Sequence, residues 1–202
     1  MQYFNSVTTW IYRLMAAEFY FILQSLKGFI FLGIFPAWAR LFDLALAWHQ
    51  GEDPRIKDFF SEQSDSDKKE ANILGYSLLG IGLVILFNLN YWRQVNTVAG
   101  IYLFYLFALL SVFWIVSTAV IFALGAQFKL PRWQYLRLAL LFPIAKIIYA
   151  LILGVLLYCY YYIFFVIALP LGILIGASSL TVLLSVVTCF SWRDEVDKLS
   201  LK

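Results

Sequence analysis

The chain has 202 residues, 63% of them hydrophobic and only 13% charged, where an ordinary soluble domain has about 45–50% and about 25%. A bilayer accepts such an excess directly, provided the apolar residues run on for about 20 positions at a time. The formal charge of +3 forms no basic arm and no acidic tail, which argues against nucleic acid as a partner.

In chain order, the first apolar run, 15–35, predicts a membrane helix. It is expected to be retained and not cleaved, because residues 1–12 hold no Lys/Arg cluster and Lys27 interrupts the run. The next segment, 36–72, is the one sizeable extramembrane stretch. Trp38, Leu41, Phe42, Ala45, Leu46 and His49 recur at helical spacing, which predicts an amphipathic helix lying against membrane or a partner. Gly51, Glu52, Asp53 and Pro54 end it, and Ile56, Phe59 and Phe60 suggest a second short amphipathic turn.

Further membrane helices are expected at 73–89 and 99–126, followed by one long apolar stretch from 138 to 190. At 1.5 Å per residue that stretch would extend about 80 Å, more than twice a hydrocarbon core of about 30 Å, so the chain must turn back. Proline is tolerated in the first turn of a helix, so a turn just before Pro170 gives a fourth helix at 138–162 and a fifth at 170–190.

Lys and Arg in the connections set the expected orientation. One side receives eleven: Arg40, Arg55, Lys57, Lys68 and Lys69, then Lys129, Arg132 and Arg137, then Arg193, Lys198 and Lys202. The other receives two, Arg13 and Arg93. The expected fold is therefore an all-α, single-domain integral membrane protein of about five transmembrane helices, N-terminus outside and C-terminus cytoplasmic. Aromatic belts agree, with Trp10, Tyr91 and Trp92 on the outer side and Trp38, Trp133, Tyr135 and Trp192 on the inner.

Ionisable residues inside membrane helices are functional suspects, and there are three: Glu18, Lys27 and Lys146. Their positions near helix ends favour snorkelling or an interhelical polar contact over a substrate or ion pathway. Cys159 and Cys189 stand in apolar runs without a second Cys or His at metal-ligand spacing, and read as packing thiols. His49 has no partner spacing for a nucleophilic system. No catalytic, cofactor or metal residues are expected, so the chain reads as a non-enzyme. Small residues at Ala168, Gly172 and Gly176 recur every fourth position and allow close helix approach, within the chain or against a partner. Leu41, Phe42, Phe59, Phe60, Gly172 and Gly176 are the candidate partner contacts.

Trp10, Arg13 and Leu14, a helix closing on Pro36 and Ala37, and above all the block Gly51-Glu52-Asp53-Pro54-Arg55-Ile56-Lys57-Asp58-Phe59-Phe60 resemble the YesL-like family of bacterial membrane proteins, domain of unknown function 624. That resemblance implies a multi-pass protein of the cell membrane, found largely in Gram-positive bacteria and often encoded beside carbohydrate ABC importers. It establishes no catalytic or binding residues. The expectation it supports is a non-enzymatic accessory subunit of such an importer, with the permease subunits as partners, the ATPases near loop 36–72, and the bilayer as solvent. A stand-alone transporter or channel, and a membrane-bound sensor or regulator, are the alternatives.

Overall fold

In a computed structural model the backbone is described for residues 2–61, 63–128 and 132–200, and side chains for 7–61, 63–127 and 137–192. Lys129 and Lys202, and the side chains of Arg132, Trp133, Tyr135, Arg193 and Lys198, lie outside the described residues. Every regular element among the described residues is helical: α1 (Gln2–Lys27), α2 (Ile34–His49), α3 (Ile56–Ser61), α4 (Asp65–Arg93), α5 (Val98–Phe128), α6 (Arg132–Ala145), α7 (Ile147–Tyr161) and α8 (Leu169–Ser200), with a π-helical stretch Tyr162–Ile167 before α8.

The expected first membrane helix at 15–35 is not one helix. It ends at Lys27, and residues 28–33 turn the chain back into α2. The turn depends on its two glycines. A Cβ on Gly28 would run into the backbone of Gly33, and one on Gly33 would lie 2.5 Å from the Ser25 carbonyl oxygen. Between them Phe29 (φ 54°) and Ile30 (φ 64°) adopt left-handed backbone, which costs a bulky or β-branched residue energy and persists only where the surroundings impose it. Here those surroundings include Ile30 N–H donating to the Ser25 carbonyl at 2.8 Å and Leu32 N–H to that of Gly28 at 3.0 Å.

The hairpin brings distant residues together. Trp10 meets the edge of Trp48 at 5.9 Å between ring centroids, and Arg13 forms a 2.8 Å ion pair with Asp53. The sequence places Arg13 and the 36–72 segment on opposite sides of the membrane, whereas the hairpin brings Arg13 and Asp53 together at one end.

α4 has a polar first turn, capped by the Ser64 side chain accepting from Asp67 N–H at 3.2 Å, with Asp65 and Asp67 placed to favour the helix dipole. Its apolar part begins beside the α1–α2 turn: Asn72 donates to the Leu32 carbonyl at 2.9 Å, and the Tyr76 hydroxyl to that of Phe31. Ala39 and Asp43 share a cleft with Asp67, Glu70 and Leu74, so α2 runs back along the polar end of α4. α4 and α5 form an antiparallel pair, and α6 packs against α5.

Four helices among the described residues are long and apolar enough to cross a membrane: Asp65–Arg93, Val98–Gln127, Ile147–Ile167 and Leu169–Trp192. α1, carrying Arg13, Glu18 and Lys27, is not one of them. The expected fourth helix at 138–162 is divided at Lys146, whose backbone leaves helical geometry (φ −125°, ψ 50°) three residues after Pro143 inside α6. Pro143 removes a donor and crowds the turn before it, around Ala139; the break itself comes three residues further on. The turn before Pro170 is observed, at Ala168.

The segment expected to lie on a surface is instead central. α2 buries Ala37, Leu41, Phe42, Leu44, Ala45, Ala47 and Trp48. It joins two cores: Phe42 packs with Val120, Ile121 and Leu184 on one side, while Leu41, Leu44 and Trp48 pack with Ala17 and Phe60 on the other. A helix apolar around most of its circumference is a buried helix, and periodicity on one face alone understates that.

Candidate functional site

Two features of the hairpin could carry function: the polar anchor that holds α1 to α8, and an apolar groove bordered by α2.

Glu18 is 5% exposed. Its carboxylate accepts backbone N–H groups from Ala177 at 3.2 Å and Ser178 at 2.7 Å, both in α8. A buried carboxylate is tolerable when charge-assisted donors surround it, so this contact fixes α1 against the middle of a membrane-length helix. The α8 face around it carries buried Ser178, Thr181, Ser185 and Thr188. Thr181 and Thr188 return their hydroxyl protons to the carbonyls of Ala177 and Leu184 at 2.7 Å each. This polar row at helical spacing went unremarked in the sequence, although its 3-4-3 period is legible there.

The other two suspects stand apart from Glu18 and from each other. Lys27 is exposed at the C-terminal turn of α1, where its charge complements the helix dipole. It borders a cleft with Gln24, Ser61, Gln63 and Lys68. Lys146 holds its ammonium 5.4 Å from the centre of the Trp192 ring, a cation–π contact. The structure does not bring Glu18, Lys27 and Lys146 into one site.

Most of the expected partner contacts are occupied within the chain. Leu41, Phe42 and Phe60 are 2%, 1% and 2% exposed. Phe42 stacks on Phe122 at 6.2 Å, Phe60 stacks on Tyr20 at 6.3 Å, and Phe59 lies under the Arg40 guanidinium at 4.8 Å. Gly172 sits where a Cβ would come 2.8 Å from the Phe164 carbonyl oxygen. Gly176 receives the Tyr160 hydroxyl on its carbonyl, and the same hydroxyl lies 2.8 Å from Ser179 Oγ. The small-residue row therefore closes the hairpin between α7 and α8. The Cys189 sulfur accepts from Gln127 at 3.1 Å, as a packing thiol.

The groove lies among α2, α4, α5, α7 and α8 and has a volume of about 460 Å³. Phe35, Trp38 and Phe42 of α2 border it, with Leu79, Leu83 and Leu86 from α4, Trp114 and Thr118 from α5, and Leu157, Leu180 and Leu184 from α7 and α8. Gly75 and Gly82 shape its wall by admitting the rings of Phe35 and Trp114 to positions a Cβ would occupy. The sequence shows the glycines, but not which rings they seat. Among the described residues no three His, Cys, Asp or Glu side chains cluster as metal ligands.

Helices of this length and apolarity, with an α1–α2 hairpin folded onto them, define a multi-pass helical membrane protein. Residues 14–89 match the family model described as protein of unknown function, DUF624. Over 116 residues, 54% of this chain and 56% of the relative, the sequence is 28% identical to the uncharacterized protein YesL of Bacillus subtilis (strain 168). Residues 14–89 are thus similar to the YesL-like DUF624 family, and the chain spans about half the length of the curated relative it matches. The matched region holds the second half of α1, its turn into α2, α2 itself, the block at 51–60 and most of α4. No solved structure matches the chain significantly.

Proposed function

We propose that this chain is a non-enzymatic accessory membrane subunit of a carbohydrate ABC importer in the bacterial cell membrane. The YesL-like resemblance supplies the association with sugar import. The observation that carries the accessory role over that of a stand-alone sugar transporter is the groove. Its lining is aliphatic and aromatic apart from Thr118 and the indole N–H groups, whereas a sugar leaving water needs a hydrogen-bond partner for each hydroxyl it desolvates. A sugar route is then furnished by permease subunits, with this chain beside them.

In this reading four helices cross the membrane, α4, α5, α7 and α8, and the α1–α2 hairpin enters from the cytoplasmic side and returns to it. Both termini are cytoplasmic. The Arg13–Asp53 pair supports that topology, and moving Arg13 inside leaves Arg93 as the sole Lys or Arg in the connections on the outer side. Because Leu41, Phe42, Phe60, Gly172 and Gly176 are used internally, the permease contact falls to the outward row of α1, Met15, Phe19, Ile22 and Leu26, which are all exposed. The ATPases lie near the polar start of α4.

Affinity purification from the native membrane tests the reading. The expected result is stable recovery with two permease chains, and no sugar flux into vesicles holding this protein alone. Flux through the purified protein, or its isolation without permeases, would overturn the accessory role.

A further inference from the structure

The cleft between the end of α1 and the start of α4 brings two cations together. Lys27, the last residue of α1, and Lys68, near the start of α4, line it with the side chains of Gln24, Ser61 and Gln63. Among the described residues no Asp or Glu lines it. Lys27 is exposed and enters none of the ion pairs found among the described residues. Lys68 is paired with Asp65 at 2.9 Å, but the two side chains are 42% and 98% exposed, and an exposed pair of that kind is weak and exchanges readily. Two like charges lining one cleft without a carboxylate between them make it complementary to an anion.

The walls are tied in place by side-chain amides. Gln24 donates from Nε2 to the Phe60 carbonyl at 3.0 Å, and Gln63 from Nε2 to that of Pro36 at 3.3 Å, which joins α3 and the start of α2 to the end of α1. A primary amide has two N–H donors, so Gln24 keeps one beyond that bond.

The surroundings indicate which anion. On the turn that leaves the cleft, Phe29, Ile30, Phe31 and Leu32 are 86%, 54%, 76% and 63% exposed, and Leu32 itself lines the cleft. The carbonyls of Phe31 and Leu32 accept from Tyr76 and Asn72, where the polar start of α4 gives way to its apolar part. Four consecutive exposed apolar residues beside two lysines suit a membrane–water boundary, with the apolar side chains among lipid chains and the lysines at the phosphates. The cleft has a volume of about 330 Å³; at about 30 Å³ for each water-sized group it holds roughly eleven non-hydrogen atoms. That is room for a phosphodiester and a small alcohol such as glycerol, with the acyl chains left outside along the turn.

We infer that this cleft binds the phosphodiester headgroup of one anionic bilayer lipid, with Lys27 and Lys68 as its cationic contacts and the turn 28–33 against its acyl chains. The bound lipid neutralises both lysines and ties α1 to α4. The inference rests on the chain being a membrane protein and not on the importer reading, since a stand-alone protein would hold the headgroup equally.

The test titrates phosphatidylglycerol, and separately phosphatidylcholine, into the delipidated full-length protein in a neutral detergent and reads the first bound lipid by native mass spectrometry. A lysine beside an anionic headgroup is worth about fivefold in affinity, so phosphatidylglycerol should bind at least about tenfold more tightly than phosphatidylcholine. Lys27→Gln and Lys68→Gln should each weaken phosphatidylglycerol by about fivefold, and Lys27→Arg should keep the wild-type affinity. Lys57→Gln and Lys69→Gln remove exposed lysines that do not line the cleft and should change nothing. Millimolar inorganic phosphate or glycerol 3-phosphate should leave the lipid bound. Circular dichroism checks that each variant is folded; if the Lys27 and Lys68 variants are not, the wild-type preference and the competition still decide. Equal affinity for the two lipids, no loss in folded Lys27→Gln and Lys68→Gln, or an equal loss in Lys57→Gln and Lys69→Gln would overturn the site. Displacement by inorganic phosphate or glycerol 3-phosphate would overturn the lipid as its source.

Discussion

Removing the Glu18 carboxylate tests the anchor between α1 and α8 directly. Glu18 makes two charge-assisted bonds to backbone N–H groups, one at 2.7 Å and one at 3.2 Å. Hydrogen bonds to charged groups contribute about 1.5–3 kcal/mol each. The shorter belongs at the strong end and the longer at the weak end, and relief of the buried charge offsets part of the loss. Glu18→Ala should therefore destabilise the protein by about 2–4 kcal/mol, or on the order of 4–16 °C in midpoint for a chain of this size. Glu18→Gln keeps one acceptor oxygen but turns an amide donor toward the other N–H, and should fall between the two. Ser178→Ala leaves the backbone donor in place and should cost under about 1 kcal/mol. Thermal unfolding in detergent, followed by circular dichroism and by recovery of monodisperse protein, reads all three. A Glu18→Ala protein as stable as wild type, or a Ser178→Ala protein as damaged as Glu18→Ala, would refute the anchor.

The two neighbouring glycines of α4 should behave oppositely in the same assay. A Cβ on Gly80 meets nothing within 4 Å, so Gly80→Ala should gain up to about 1 kcal/mol from helix propensity, whereas Gly82→Ala drives into the Trp114 ring and should lose about 1–3 kcal/mol. Phe42→Ala removes a side chain 1% exposed and should cost about 3–5 kcal/mol; a loss below about 1 kcal/mol would mean that α2 does not sit between the two cores. Gly33→Ala should disrupt the α1–α2 turn, seen as increased proteolysis in 28–33, because its Cβ would press on the Ser25 and Gln24 carbonyls.

The membrane helices were legible because lipid demands long uninterrupted apolar runs, and α4, α5 and α8 have them. α1 was misread for a physical reason. A hydropathy window over 15–35 averages across Gly28 and Gly33, and the residues between them, Phe29, Ile30, Phe31 and Leu32, are as apolar as a membrane helix. The paired glycines were the available signal. Lys146 reads in the sequence only as a charge to be snorkelled, and nothing there places the break between α6 and α7 at that residue. The periodicity of α2 correctly marked Leu41, Phe42 and Ala45 as a buried face, but periodicity cannot say what buries it. The Arg13–Asp53 pair joins residues forty positions apart, and only a hairpin of known direction could have suggested it. The groove is legible only as its parts, since its walls come from five helices.

The account depends most on the hairpin returning to the side from which it came, and the Arg13–Asp53 contact at 2.8 Å offers the sharpest measurement of it. Cysteines placed by Arg13→Cys and Asp53→Cys in an otherwise cysteine-free protein should be joined by a short bis-maleimide within one chain in intact membranes. Both should also be labelled by an impermeant thiol reagent from the cytoplasmic face of inverted vesicles, and neither from the outer face of intact cells. Labelling of residue 13 from outside and residue 53 from inside, with no cross-link, would restore five crossings and contradict the hairpin on which the fold, the anchor and the proposed topology rest.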